Sequence, residues 1–133
     1  MSNFQAVYFR DASGGEPVVD FLDALDPKTR AALRNHIGRL NLLRDEQPHL
    51  PFPHSSQIDG ELRELRCHRG REHYRVLYAR SESLIVVLHA FPKRTAQIPR
   101  AEIETARQRW TDFKERMNAR PRRQPRAAGR DAP

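Results

Sequence analysis

Residues 84–99 read LIVVLHAFPKRTAQIP, and the way this run ends decides how the rest of the chain is read. Leu84 to Leu88 is continuously apolar with β-branched residues at its centre, which predicts a strand. By strict alternation Ile85, Val87, His89 and Phe91 share one face, and Leu84, Val86, Leu88 and Ala90 the other. Both faces stay apolar until the end, so the strand is predicted to be central in its sheet. A strand that only filled a core would normally close in a neutral turn. This one closes on His89, Phe91, Lys93 and Arg94.

Working outward, two further runs precede it, Leu62 to Cys67 and His73 to Ala79, joined by short polar links. That spacing predicts an antiparallel meander. Residues 46–60 carry Pro48, Pro51 and Pro53 and read as an irregular connection. Towards the N-terminus, Phe4 to Arg10 reads as a strand, stopped by Gly14-Gly15. Pro17 opens a short helix with Val18, Leu22 and Leu25 at helical spacing. Asp26-Pro27 is an N-cap followed by a proline at the first helical position, and Leu33, Ile37, Leu40 and Leu43 carry that second helix to about Arg44. Pro99 opens a last helix with Ile103, Ala106, Trp110 and Phe113 on one face. The expected fold class is α+β, in the order β-α-α-β-β-β-α. Its small antiparallel sheet has the two N-terminal helices on one face and leaves the other available for a ligand.

Composition sets the bounds. The chain has 133 residues, one ordinary domain, and is 38% hydrophobic. The domain is expected to occupy residues 1–116, and residues 117–133, with almost no apolar side chains, to form a disordered basic tail. No run of 18 apolar residues exists, so a membrane span is excluded, and the N-terminus lacks the pattern of a signal peptide. Cys67 is the one cysteine, which fits a reducing cytoplasm and permits neither an internal disulfide nor a cysteine-based metal cluster. The formal charge is +7, of which the tail, with five Arg and one Asp, contributes +4. Such a balance points to polyanions, nucleic acid or ribosome, against the plainer reading of solubility alone.

The meander concentrates cations: Arg63, Arg66, Arg69, Arg71, Arg75 and Arg80, with His68 and His73. In HYRVLYA, Tyr74, Val76 and Tyr78 face one way, and His73, Arg75 and Leu77 the other. A mid-strand arginine needs a carboxylate partner, for which Glu64 on the neighbouring strand is placed, or an open wet face. His89 reads either as a hydrogen-bonded core histidine or as an acid–base group. Taken together, Arg66, Arg75, His89, Lys93 and Arg94 can converge at one end of the sheet, with Phe91 as a stacking surface.

That inventory suits RNA. Arginine binds phosphate bidentately, lysine binds it as a point charge, and an aromatic ring stacks on an unpaired base. Cleavage by the neighbouring 2′-hydroxyl needs a base, stabilisation of a charged phosphorane and an acid for the leaving oxygen. Cations can serve the last two roles, and a histidine the first or third. Other chemistries fare worse. Gly14-Gly15 is no phosphate loop, and the six histidines lack paired metal-ligand spacing, so neither metal nor cofactor is expected. Cys67 reads as a plain strand residue.

The blocks GGEPVVDFLDALDPKTRAAL, IDGELRELR, YRVLY and LIVVLHAFPKRTAQIPRAEIETARQR, in this order, resemble the phage-derived, HigB-like branch of the RelE/ParE toxin superfamily. The resemblance spans about Phe4 to Phe113. It implies a RelE-like fold and a cytoplasmic type II toxin–antitoxin toxin that cleaves mRNA on the ribosome. The implied partners are the ribosome, mRNA and a cognate antitoxin of helix-turn-helix type. By motif, the implied catalytic residues are Arg66, Arg75, His89, Lys93 and Arg94, with Phe91, Arg63, Arg69 and Arg71 binding RNA. Relatives usually carry Leu-His-Gly-Phe followed by two lysines; here Ala90 replaces the glycine and Arg94 the second lysine. Gln97-Ile98 stands where relatives often have Lys-Thr. Three readings follow: a metal-independent, ribosome-dependent mRNA endonuclease; a ParE-like toxin that binds gyrase and cuts no RNA; and a degenerate nucleic-acid-binding accessory protein.

Overall fold

The computed structural model describes residues 3–50, 54–118 and 126–127. Its elements are β1 (Gln5–Tyr8), α1 (Pro17–Asp23), α2 (Pro27–Gly38), a 3₁₀ turn (Arg39–Leu42), β2 (Ser55–Asp59), β3 (Leu62–Arg69), β4 (Glu72–Ser81), β5 (Leu84–Pro92), α3 (Arg100–Met117) and β6 (Arg126–Ala127). The strands form one sheet in the order β2-β3-β4-β5-β1-β6. All neighbours are antiparallel except β1 and β5, which run parallel, with Ala6 opposite Ile85. The fold is α+β, as expected, and β5 is interior to the sheet.

The helix starts follow from local chemistry. Asp26 accepts from the Thr29 backbone N–H at 3.1 Å and from its hydroxyl at 2.6 Å, with Pro27 supplying the first helical position. The expected run to Arg44 is cut short: α2 ends at Gly38 and tightens into the 3₁₀ turn. That turn sets the buried Asn41 so that its Oδ1 accepts from the Ala6 N–H at 2.7 Å, satisfying a donor inside the core.

Two cores flank the sheet. Val18, Leu22, Leu33, Ile37 and Leu40 from α1, α2 and the 3₁₀ turn pack on Tyr8, Leu65, Val76, Tyr78, Ile85 and Val87. Ala106, Trp110 and Phe113 of α3 pack on Val7, Leu77, Ala79, Val86 and Leu88. The second face is therefore not left open as a whole. Helix α3 covers its β5 side, and only the part over β2–β4 remains for a ligand.

Three further expectations are corrected. Residues 46–60 are not irregular throughout, because Ser55–Asp59 is an edge strand, β2; its polar residues carry no apolar period to announce it. Within the tail, Arg126–Ala127 pair with Tyr8–Val7 at the other edge, while the expected disorder of the rest, residues 119–125 and 128–133, lies outside the described residues. Finally, strict alternation fails in β5. Leu77 pairs with His89 but Tyr78 with Val87, so Leu88 is an extra, bulged residue. His89 and Phe91 consequently join Val86 and Leu88 on the α3 face instead of sharing the face of Ile85 and Val87.

Tight turns hold the site's register. Gly70, with φ +62°, lies in the left-handed region that glycine adopts without strain, and it closes the two-residue turn between β3 and β4. That turn places Arg66 opposite Arg75 and His68 opposite His73.

Candidate functional site

The open part of the α3 face is organised as rungs across three strands. One rung is Glu64–Leu77–His89, the next Arg66–Arg75–Phe91. The third is His68–His73, reached by Lys93, whose N–H donates to the His73 carbonyl at 2.9 Å. Side chains two apart along a strand share a face, so the first two rungs present theirs together on the α3 side, and the third continues them at the hairpin end.

Glu64 is buried at the floor of this face. Its Oε1 accepts from Arg66 Nε at 2.7 Å and lies 3.4 Å from Arg75 Nε. The Arg75 side chain is 11% exposed and that of Arg66 36%. Burial draws the Arg75 guanidinium below its usual range, opposed by the Glu64 charge, yet an arginine remains a cation at any ordinary pH. One carboxylate thus anchors two arginines and leaves the cluster net positive. Lys93 adds a third cation, its Nζ donating to the carbonyls of Thr95 at 2.7 Å and Ala96 at 3.0 Å. These donations steady the 95–98 loop, which forms the opposite wall.

Three concavities meet here. A groove of about 620 Å³ runs between β2–β4 and residues 96–103, lined by Glu64, Arg66, Arg75 and Lys93. A pocket of about 340 Å³ contains Arg66 and Arg75 again, with His36, His54, His68 and His73. A third, of about 290 Å³, holds Arg71, His73, Lys93 and Arg94.

The structure therefore brings together Arg66, Arg75, Lys93, Arg94 and Arg71. It places Arg63 on the opposite face, where its guanidinium donates to Ser55 Oγ at 3.3–3.4 Å, beside Tyr78. Arg69 sits exposed at the hairpin turn; the Asp26 carboxyl is lowered chiefly by its hydrogen bonds from Thr29, with the Arg69 charge a smaller contributor. Phe91 is 4% exposed and its ring stacks on His89 at 5.3 Å, so it offers no open face to a base. His89 lies against α3 with both ring nitrogens engaged. Arg109 Nη1 donates to Nδ1 at 3.1 Å, so Nε2 carries the hydrogen and donates to Glu102 Oε1 at 2.7 Å. Burial pushes the His89 pKa down, opposed by Glu102 and assisted by Arg109. Cys67 is buried in the helix-side core, where desolvation pushes its thiol up to about 12.

Several contributors escaped the sequence reading. Glu102 and Arg109 reach His89 from α3, 13 and 20 residues away, and nothing local announces that contact. Of the histidines at 36, 54, 68 and 73, the sequence marks only His68 and His73 as part of the cation-rich meander, and the pairing of β3 with β4 is the signal that joins those two. Among the described residues no group of three or more His, Cys, Asp or Glu is arranged to hold a metal ion, and no helix is long and apolar enough to cross a membrane.

Comparison with known proteins reaches the same region of the chain. Residues 20–111 match the family described as Phage derived protein Gp49-like (DUF891). Two relatives, from Mycobacterium tuberculosis strains CDC 1551 / Oshkosh and ATCC 25618 / H37Rv, carry the name Probable endoribonuclease HigB1. Each is 36% identical over 100 residues, which is 74% of this chain and 76% of the relative. The matched segment runs from α1 to α3 and contains every residue of the three rungs: the chain belongs to the phage-derived Gp49-like family.

Proposed function

We propose that this protein is the toxin of a type II toxin–antitoxin pair, of the RelE/ParE superfamily, and that it cleaves ribosome-bound mRNA without a metal in the chemical step. The observation that carries this is the convergence of Arg66, Arg75 and Lys93 on one open groove, with Glu64 as the common anchor of the two arginines. The relatives' name, probable endoribonuclease, supports the reaction class. In this reading the neighbouring 2′-oxygen attacks the scissile phosphorus. Arg66 and Arg75 hold the phosphate and stabilise the extra negative charge of the phosphorane, and Lys93, Arg94 and Arg71 bind the flanking backbone. Few groups in the groove can position free RNA, so the ribosome is taken to present the message. The protein acts in the cytoplasm, restrained by an antitoxin of helix-turn-helix type that shields the basic groove or makes the toxin too bulky for the ribosome.

A ParE-like gyrase binder remains a second reading, and one observation favours it: His89, the acid–base group of the strand-end motif, has both nitrogens occupied. Primer extension on cellular mRNA after brief expression separates the two. Discrete new 5′ ends within translated frames are expected of the nuclease. Intact messages with inhibited supercoiling would favour the gyrase binder.

A further inference from the structure

We propose that His68 and His73 form the acid–base pair of the cleavage step, acting on a phosphate held by Arg66 and Arg75. The assignment rests on the nuclease reading above and supplies the two proton-transfer groups that His89 does not.

The two histidines are direct cross-strand partners, and their ring centroids are 6.4 Å apart. Both are exposed, whereas the His89 side chain is 15% exposed and bonded on both sides. They stand one rung from Arg66 and Arg75 along β3 and β4, and all four line one pocket of about 340 Å³ at the hairpin end of the sheet. In-line displacement at phosphorus needs a proton acceptor at the attacking oxygen and a donor at the leaving oxygen, each at hydrogen-bond reach of about 2.6–3.2 Å. Two imidazoles separated by this distance can flank one phosphoryl group. Imidazole is also the side chain that exchanges protons most readily near neutral pH. His36 of α2 lies behind His68, ring to ring at 5.7 Å, and backs it from the helix side. His73 also borders the pocket that contains Lys93, so a strand passing between the two pockets crosses this pair.

The step balances with no further reactant. One imidazole removes the 2′-hydroxyl proton as the O2′–P bond forms. The other, protonated, gives its proton to the 5′-oxygen as the P–O5′ bond breaks. The products are a 2′,3′-cyclic phosphate and a 5′-hydroxyl, and the pair ends with its proton moved from one ring to the other.

The test is single-turnover cleavage of mRNA on programmed ribosomes by the full chain and by His68→Gln and His73→Gln. It uses normal RNA and RNA with a bridging 5′-sulfur at the cut site. Each variant is expected to lose about a hundredfold or more in rate on normal RNA, with ribosome binding and thermal midpoint unchanged. A thiolate leaves without protonation, so the variant lacking the acid should recover the wild-type rate on the sulfur substrate while the other stays slow. Wild-type rates in both variants would overturn the pair and leave the nuclease reading standing. Slow cutting that sulfur rescues in neither variant would also overturn it. A wild-type protein that cuts no ribosome-bound message would overturn the nuclease reading, and this assignment with it.

Discussion

Arg75 and Glu64 lie 3.4 Å apart, guanidinium nitrogen to carboxylate oxygen, with their side chains 11% and 8% exposed. The same oxygen receives Arg66 at 2.7 Å. A mid-strand arginine is therefore neither wholly a structural ion pair nor a free cation. It is a charge held in place beside a groove, which is what phosphate stabilisation without reorganisation needs.

Arg75→Ala should abolish growth inhibition while the protein stays folded. Losing one charged contact to the phosphorane costs about 2.7–4 kcal/mol, a hundredfold or more in rate. Stability should fall by less than the roughly 3–5 kcal/mol typical of a broken buried pair, because Glu64 keeps Arg66. Lys93→Ala should also abolish inhibition. Full toxicity of both variants at equal expression would remove the site.

Glu64→Gln preserves shape but releases the two arginines from their anchor. Ribosome binding should be no weaker, since a negative charge is lost from a basic groove, whereas single-turnover cleavage should slow by about tenfold as the guanidiniums lose their fixed geometry. Weaker binding with an unchanged cleavage rate would contradict the anchoring role.

His89→Ala should act on stability first. It leaves the half-buried Arg109 and Glu102 without their bridge between β5 and α3, an expected loss of about 1–3 kcal/mol. A double-mutant cycle with Glu102→Ala should give a coupling energy clearly different from zero. A thermal midpoint equal to wild type would show that the bridge does not hold α3.

Acid should destabilise the fold before any carboxylate titrates. Burial lowers the folded-state pKa of His36, His49 and His89, with further lowering by His68 at His36 and by Arg63 at His49. Between each folded pKa and the unfolded value of about 6.5, the unfolded chain binds more protons, so stability rises with pH. This contribution is fully present above the unfolded pKa and is lost as pH falls towards the folded one. The thermal midpoint should therefore drop between pH 7 and 5, and His36→Gln should make that drop shallower. An unchanged slope in the variant would exclude His36 as a source.

Deleting residues 118–133 should leave the thermal midpoint within a few degrees of wild type, since Arg126–Ala127 add only a two-residue pairing at the β1 edge. Ribosome or RNA binding should weaken, and its salt dependence should become less steep, because five arginines are removed. A large fall in midpoint would show that the short β6 pairing is worth far more than its length suggests.

By itself the sequence determined the element order, the two helix starts, the central position of β5 and the cation-rich strand end. These are local matters of apolar period, capping and charge density, and each is complete within a few neighbouring residues: Asp26 caps Thr29 three positions on, and Ile103, Ala106, Trp110 and Phe113 reveal their common face by spacing alone. The polar edge strand Ser55–Asp59 was invisible because its only partner is β3, and pairing leaves no period in a polar segment. Only the tertiary structure decided what His89 and Phe91 do. One extra residue at Leu88 turns both onto the α3 face, and a bulge has no signature in a run where every neighbour is apolar. The docking of α3 then supplies Glu102 and Arg109 to His89, and the β3–β4 register sets His68 beside His73. Those contacts join residues that are distant along the chain or set together by a turn's geometry, so they exist only once both cores have closed around the sheet.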